Sequence, residues 1–169
     1  LKLTELSVKK WKVILLGCGG AASAIASVLE REGMHSLTIW HRESSLNLPG
    51  KLVQKLNKRC QAEFASATSD LESLPIAQAQ LLVNATPLGM MGKGEIPAAI
   101  LGKLHSDLLV YDIVYDPQET QLIQSARAKQ CAVVTGDQML AGQGAAAFQI
   151  WTQAEKENSI FEVMKRALN

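Results

Sequence analysis

The sequence predicts an α/β fold, a doubly wound parallel sheet in a single domain that covers residues 1–169. Short apolar runs alternate with helical segments at the spacing of β-α-β units, which favours a parallel sheet. The first apolar run ends in a glycine-rich turn that opens an alanine-rich helix. A length of 169 residues without an internal repeat, a low-complexity tract or a long linker is typical of one domain.

Six strands are predicted, each a short apolar run bounded by glycine or polar residues. Such runs are typical of buried parallel strands, because helices cover both faces of the sheet. The run at 13–16 ends directly at Gly17 and is the clearest example. The predicted strands are residues 13–16, 37–40, 62–65, 81–84, 108–112 and 132–135.

Helical segments separate these strands. The first is rich in alanine and ends before Gly33, a helix-stop residue. The second carries Leu52, Val53 and Leu56 at helical spacing, and the glycine-rich stretch 90–94 is predicted to be an exposed loop. The predicted helices are residues 21–32, 49–58, 120–129, 139–151 and 159–168.

Composition excludes several classes of protein. A net charge of +1 provides no electrostatic footprint for nucleic acid or for an anionic membrane. No run of 18 apolar residues is present, so no membrane-spanning segment is predicted. The odd number of cysteines, Cys18, Cys60 and Cys131, and their wide spacing indicate reduced thiols of a cytoplasmic protein, with no metal site. The chain begins at Leu1 rather than at a methionine, and we expect it to be a piece of a longer protein.

The glycine-rich turn carries the strongest chemical signal. It reads Gly-Cys-Gly-Gly-Ala-Ala from Gly17, the GxGxxA form of a Rossmann-like dinucleotide site. Gly17 allows the tight turn, Gly19 lets the backbone approach a pyrophosphate, and Ala22 is small enough for close packing of helix and strand. The start of the helix adds free N–H groups and a positive dipole end. The alternative is an ordinary tight turn between strand and helix.

The residues after the second strand bear on the choice of cofactor. NAD sites usually have an acidic residue there, which binds the ribose 2′-hydroxyl. This chain instead has Arg42, whose charged planar fork suits a 2′-phosphate, and His41 supplies a further donor. NADP is therefore predicted. NAD stays as the alternative cofactor, because the Glu43 carboxylate repels a 2′-phosphate or binds a ribose hydroxyl. The less favoured interpretation of Arg42 is a solvated surface residue.

Three further segments follow predicted strands at the edge where ligands of open α/β sheets bind. Asn-Ala-Thr-Pro-Leu-Gly-Met from Asn84 follows the fourth strand, and a turn in which Asn84 is a structural hydrogen-bonder is its alternative. Tyr-Asp-Ile-Val-Tyr-Asp-Pro from Tyr111 ends the fifth strand. Gly-Asp-Gln-Met-Leu-Ala-Gly-Gln from Gly136 follows the sixth, where Met139 is either a core residue or a cofactor contact.

In order and spacing, these four motifs resemble the shikimate dehydrogenase family over nearly the whole chain. The resemblance implies a two-domain oxidoreductase that interconverts 3-dehydroshikimate and shikimate with NADP(H), in the biosynthesis of chorismate and the aromatic amino acids. This chain is similar to its C-terminal, NADP-binding domain. The N-terminal domain, which carries the family's catalytic Lys–Asp pair and most of the substrate site, is expected to be absent, so no catalytic residue is assigned.

The resemblance also implies roles for individual residues. Gly19, Gly20 and Ala21 would line the pyrophosphate, and Arg42 would bind the 2′-phosphate. The remaining expected cofactor contacts are Gly17, Ala22, His41, Asn84, Thr86, Pro87, Gly136 and Met139, and the expected substrate contacts are Tyr115 and Gln143.

The chain departs from the family's Asn-Arg-Thr motif at His41 and Glu43, and Leu46 stands where a second basic residue often holds the phosphate. We expect the isolated chain to bind cofactor but to be catalytically inactive. The alternatives are the cofactor domain of a quinate/shikimate dehydrogenase and a non-catalytic nucleotide-binding module.

Overall fold

All strands of the described chain belong to one sheet, in which every neighbouring pair is parallel. The computed structural model describes residues 8–45, 47–61, 63–153 and 157–167. The strand order is β3-β2-β1-β4-β5-β6, and this confirms the predicted Rossmann-like, doubly wound α/β fold. The strands are β1 (Lys12–Leu16), β2 (Ser36–Trp40), β3 (Ala65–Thr68), β4 (Leu81–Asn84), β5 (Leu109–Asp112) and β6 (Ala132–Val134).

Helices cover both faces of the sheet and connect its successive strands, except between β3 and β4, where a 3-10 turn lies. They are α1 (Gly20–Arg31), α2 (Leu48–Cys60), α3 (Ala98–Gly102), α4 (Gln121–Ala128), α5 (Gly136–Thr152) and α6 (Glu157–Ala167). Gly33, the glycine predicted to end the first helix, follows the C-cap residue Glu32 and has a φ of +75°. Short 3-10 turns occur at Val8–Lys10, Glu43–Ser45 and Ile76–Gln78.

Two apolar cores lie on opposite faces of the sheet, because successive side chains of a strand point to opposite sides. In β1, Leu15 packs into the core that contains residues of α1 and α2. Its neighbour Ile14 packs into the other core, which contains residues of α3 and α4. Residues 13–16 are all buried, which accounts for the continuous apolar run in the sequence.

The strand order reverses at β1, which pairs with β2 on one side and with β4 on the other. Ligands of open α/β sheets bind outside the carboxyl ends of the strands at such a switch point. Two backbone bonds extend the pairing past the strand ends, from Gly17 N–H to Trp40 O at 2.8 Å and from Ala85 N–H to Leu16 O at 2.9 Å. They hold the loops after β1, β2 and β4 side by side.

The structure differs from the predicted elements at β3, α3 and α5, and the predicted end of the last helix, Leu168, lies outside the described residues. The third strand lies at Ala65–Thr68, so its prediction at 62–65 was wrong in position, and Ala62 lies outside the described residues. The short helix α3 was not predicted, and α5 begins at Gly136, three residues before the predicted start. The described residues include no helix that is both long and apolar enough to cross a membrane.

Candidate functional site

A cavity of about 190 Å³ opens at the switch point, where the loops after β1, β2 and β4 meet. It joins the glycine turn to the residues that follow β2. Because both predicted parts of a dinucleotide site face one space, the geometry agrees with the sequence motifs. The cavity is lined by Gly17, Cys18, Gly19, Trp40, His41, Arg42, Ser45, Ala85, Thr86, Pro87 and Leu88.

Gly17 is required where the chain turns from β1 into the cavity. Its φ of +108° is strained for any residue with a side chain. A Cβ at Gly17 would also lie 2.8 Å from the backbone oxygen of Ala85. By contrast, a Cβ at Gly19 or Gly20 would meet no atom within 4 Å. The space above these two glycines is therefore open for a ligand to approach the backbone.

The start of α1 offers unpaired N–H groups to this space. Gly19 is the N-cap, and it has no side chain to bond the first-turn N–H groups, which have no partner inside a helix. No acidic residue lies in the first turn. Gly20 and Ala21 are exposed there, whereas Ala22 is fully buried against the sheet. This arrangement fits an anionic pyrophosphate, with Ala22 contributing close packing rather than contact.

The chain after β2 bends back, so that Arg42 and Ser45 face the same cavity. The bend is a 3-10 turn in which Ser45 N–H donates to Arg42 O at 2.9 Å. Glu43 lies on this turn but does not line the cavity, which removes part of the objection to a 2′-phosphate beside Arg42. Leu46 lies outside the described residues.

Asn84 is fully buried at the end of β4 and organises the loop that follows. Its Nδ2 donates to Leu88 O at 3.0 Å, and its Oδ1 accepts from the Thr86 hydroxyl at 2.6 Å. This is the alternative that the sequence left open, a structural hydrogen-bonder. Thr86 and Pro87, which Asn84 positions, line the cavity instead.

The same network ties β4 to β5 and α4 through the buried Asp112. Asp112 Oδ1 accepts from Asn84 Nδ2 at 2.9 Å and from Val114 N–H at 3.1 Å, and Oδ2 accepts from the Thr120 hydroxyl at 2.6 Å. Burial raises the pKa of Asp112, and the bonds from Thr120, Val114 and Asn84 oppose this rise. Thr120 is also the N-cap of α4, because its Oγ1 accepts from Ile123 N–H.

A second cavity of about 290 Å³ adjoins the first and shares its β4 loop. Met139, a predicted nicotinamide contact, and Tyr115, a predicted substrate contact, both line this cavity. Gln143, the other predicted substrate contact, is exposed and does not line it. Met139 also borders a third cavity, together with Tyr111, whose pKa burial raises to about 12. The second cavity is lined by Ala85, Thr86, Pro87, Met90, Ile113, Val114, Tyr115, Asp116 and Met139.

Gly136 is buried at the first position of α5, below the chain that leaves β5. A Cβ at this position would lie 2.6 Å from Ile113 O and closer still to Val114 O. Neighbouring backbone thus occupies the place where a side chain would stand. The glycine lets α5 start directly under the β5 loop, with Met139 one turn later beside the second cavity.

Sequence reasoning missed several residues that line the first cavity. Ser45 follows no motif, and only the 3-10 turn shows that it returns to the cavity. Cys18 lies inside the glycine motif at its variable position, and its free thiol lines the cavity. Trp40 was assigned to a strand, and its aromatic ring is held by a bond from Nε1 to Ser69 O at 3.2 Å.

Comparison with known proteins places this site in context, although the chain matches no protein-family model. Curated relatives are named shikimate dehydrogenase (NADP(+)). That of Methanocaldococcus jannaschii is 34% identical over 166 residues, which cover 95% of this chain and 55% of the relative. That of Methanopyrus kandleri is 34% identical over 160 residues, covering 93% and 53%. The chain spans about half the length of the curated relatives it matches.

Solved structures agree. Shikimate 5-dehydrogenase from Listeria monocytogenes, in complex with shikimate and NAD, has a TM-score of 0.82, is 31% identical, and covers 96% of this chain and 59% of that chain. The Thermus thermophilus enzyme with NADP(H) and shikimate has a TM-score of 0.72 at 30% identity, covering 99% and 59%. Quinate dehydrogenase from Corynebacterium glutamicum, in complex with NAD, has a TM-score of 0.75 at 30% identity, covering 89% and 53%. The chain is therefore a Rossmann-like domain homologous to about half of a shikimate dehydrogenase.

Proposed function

We propose that the chain binds NADP(H) as the cofactor domain of a shikimate dehydrogenase. The whole enzyme would reversibly reduce 3-dehydroshikimate to shikimate, in the biosynthesis of chorismate and the aromatic amino acids. One observation carries the proposal: the open glycine turn and Arg42 line a single cavity at the topological switch point. A cytoplasmic location is proposed with it, supported by three free cysteines.

The residues of the first cavity have distinct roles in this proposal. Gly19, Gly20 and Ala21 line the pyrophosphate at the start of α1. The backbone N–H groups there hold it, because the helix end carries a partial positive charge. Arg42 binds the 2′-phosphate with its charged fork. Gly17 lines this cavity and forms the tight turn, the buried Ala22 allows helix and strand to pack closely, and Asn84 shapes the β4 loop.

The second cavity receives the reactive end of the cofactor. Thr86 and Pro87 border both cavities. A ligand that fills the first cavity would therefore extend past these two residues into the second. The bound nicotinamide supplies the hydride chemistry, while the protein supplies position and surroundings. Met139 provides an apolar wall, Gly136 brings the helix backbone close to that wall, and Tyr115 and Gln143 are the proposed substrate contacts.

Quinate dehydrogenase is the second candidate, because a structure of that name, with NAD, is 30% identical and covers 89% of this chain. NAD is accordingly the alternative cofactor. The two cofactors differ at the ribose 2′ position, where Arg42 faces the cavity. Substitution of Arg42 therefore tests which of the two cofactors the chain binds.

The expected result is that NADPH binds the chain more tightly than NADH in a calorimetric titration. Replacing Arg42 with alanine should weaken NADPH binding by about tenfold to a hundredfold, since a charge-assisted phosphate contact contributes roughly 1.5–3 kcal/mol. NADH binding should change little. Arg31→Ala is the matched control, because Arg31 is an exposed arginine at the far end of α1.

Equal affinities for NADPH and NADH, with or without Arg42, would overturn the NADP assignment and favour NAD. Failure of both nucleotides to bind the folded chain would overturn the cofactor-domain proposal itself. Circular dichroism of each variant would establish that the fold is retained.

A further inference from the structure

His41 has one ring nitrogen committed to its own backbone. Its Nδ1 lies 3.0 Å from the carbonyl oxygen of Arg42. A carbonyl oxygen can only accept a hydrogen bond, so Nδ1 must carry a proton for this bond to form. The bond therefore fixes the neutral tautomer, with the proton on Nδ1 and the lone pair on Nε2.

Nε2 is then the ring atom with a free lone pair, and the only one that can accept a proton. Histidine is the side chain whose charge normally changes between pH 5 and 8. In the neutral form, Nε2 is an acceptor that suits the 2′-hydroxyl of NAD(H) but offers no donor to a phosphate oxygen. In the protonated form, Nε2 becomes a charged donor that suits the 2′-phosphate of NADP(H).

We propose that His41 makes the choice between NADP(H) and NAD(H) depend on pH, by taking up a proton at Nε2 when the 2′-phosphate binds. This inference rests on the proposed nucleotide site, because it requires the ribose 2′ position to lie beside His41 and Arg42. His41 lines the cavity together with Arg42 and Ser45. The hydrogen bond from Ser45 N–H to Arg42 O closes the turn that holds these residues. Arg42 supplies a constant charge, and His41 adds one that varies.

The charged and titratable groups around His41 come from three segments. Arg42 and Glu43 belong to its own loop, and the Cys18 thiol lines the same cavity from the β1–α1 loop. From the β3 side, Thr68 O accepts from His41 N–H at 3.1 Å, and Asp70 follows two residues later. The β4 loop contributes Ala85 to Leu88, which have no titratable side chain. A dianionic phosphate bound beside His41 would favour the protonated imidazole.

The experiment measures proton uptake directly. The 169-residue chain is titrated with NADPH and with NADH by calorimetry at pH 7.8, in buffers of different ionisation enthalpy. At this pH the 2′-phosphate is already dianionic, since a phosphate monoester loses its second proton near about pH 6. Proton uptake on NADPH binding therefore reports a group of the protein. We expect uptake with NADPH and none with NADH.

The pH series adds a second readout. Between pH 7 and pH 9 the dissociation constant of NADPH should rise by about tenfold, as the charged donor is lost. That of NADH should stay constant or fall slightly, because the neutral imidazole accepts the 2′-hydroxyl. In His41→Asn both the proton uptake and the pH dependence should disappear. His35→Asn, at an exposed histidine beside β2, should behave as the unmodified chain.

The outcomes separate this inference from the proposed function. If NADPH binds without proton uptake, or if His41→Asn retains the uptake, the role of His41 is overturned while the cofactor assignment stands. If neither nucleotide binds at any pH, the cofactor assignment fails and the inference fails with it. Uptake in the unmodified chain and in His35→Asn, but not in His41→Asn, supports both.

Discussion

Glycines of this chain serve two opposite purposes, and only the structure distinguishes them. At Gly19 the missing side chain leaves open space for a ligand, whereas at Gly136 neighbouring backbone fills the same place. Gly17 combines a positive φ with a close approach to Ala85. A substitution at Gly136 therefore tests packing, and one at Gly19 tests ligand access.

We predict that Gly136→Ala destabilises the chain by about 2–3 kcal/mol, because the new Cβ would overlap the backbone of Ile113 and Val114. The measurement is the free energy of unfolding from urea denaturation. Gly142→Ala is the matched control in the same helix, since its Cβ would lie 4.0 Å from Phe161 Cε2, an ordinary contact. It should be neutral or stabilise the chain by up to about 1 kcal/mol. Equal effects of the two substitutions would contradict the assigned role of Gly136.

Sequence motifs located site residues that lie close to a strand end in the chain. They did not locate residues whose position or partners depend on the fold. Arg42 and Thr86 each lie two residues after the end of a strand, and both line the cavity. Asn84 also ends a strand, yet its amide bonds Leu88 and the buried Asp112, a partner 28 residues away. Ser45 reaches the cavity only through a turn that no motif announces.

At the scale of elements, strands with continuous apolar runs were easy to place, and the edge strand β3 was not. β3 reads Ala-Ser-Ala-Thr, which carries little strand preference of its own. Its position is fixed by pairing with β2 and by Asn57 of α2, which bonds both the N–H and the carbonyl of Ala65 at 2.7 and 2.8 Å. Helix α3 has only five residues, too few to show a helical period.

Asp112 joins the ends of β4 and β5 to the start of α4. The contribution of its carboxyl to the stability of the fold should depend on pH. The unfolded carboxyl ionises near 3.8, and burial raises the pKa of Asp112 above that value in the folded chain. The folded chain therefore holds this proton more firmly. Its contribution to stability is fully present below pH 3.8 and is lost as the pH rises through the folded value.

The prediction concerns the difference in unfolding free energy between the unmodified chain and Asp112→Asn. This difference should shift against the unmodified chain as the pH rises above 3.8, because the variant has no proton to lose at this position. Urea denaturation at a series of pH values measures it. Asp107→Asn, at an exposed aspartate, is the control. Parallel stability curves for the unmodified chain and Asp112→Asn would show that the carboxyl carries no such linkage.

On the scale of the whole molecule, the two cavities are adjacent at the carboxyl edge of the sheet, and both are lined by Ala85, Thr86 and Pro87 of the β4 loop. The first is lined by groups that suit anions, and the second mainly by apolar residues and Tyr115. Tyr115 is 49% exposed. The groups proposed for cofactor binding thus lie together, and no lysine is among the described residues that line the two cavities.

We predict that the 169-residue chain binds NADP(H) without turning over shikimate. No lysine lines either cavity in the described part of the chain, and Lys103, which pairs with Glu72 at 3.1 Å, is not among the lining residues. Moving a hydride requires a proton acceptor within hydrogen-bond reach of the reacting oxygen. The curated relatives are about twice as long, so the acceptor would belong to the part of them that this chain does not match.

The measurement is the absorbance of NADPH formed from NADP⁺ and shikimate, with chain that has already been shown by calorimetry to bind the cofactor. We expect no rate above that of NADP⁺ and shikimate alone. A rate that increases in proportion to chain concentration and is abolished by Arg42→Ala would contradict the prediction, because it would place an acceptor within these two cavities. Tyr115→Phe and Asp116→Asn would then be the first substitutions to examine, since both side chains line the second cavity.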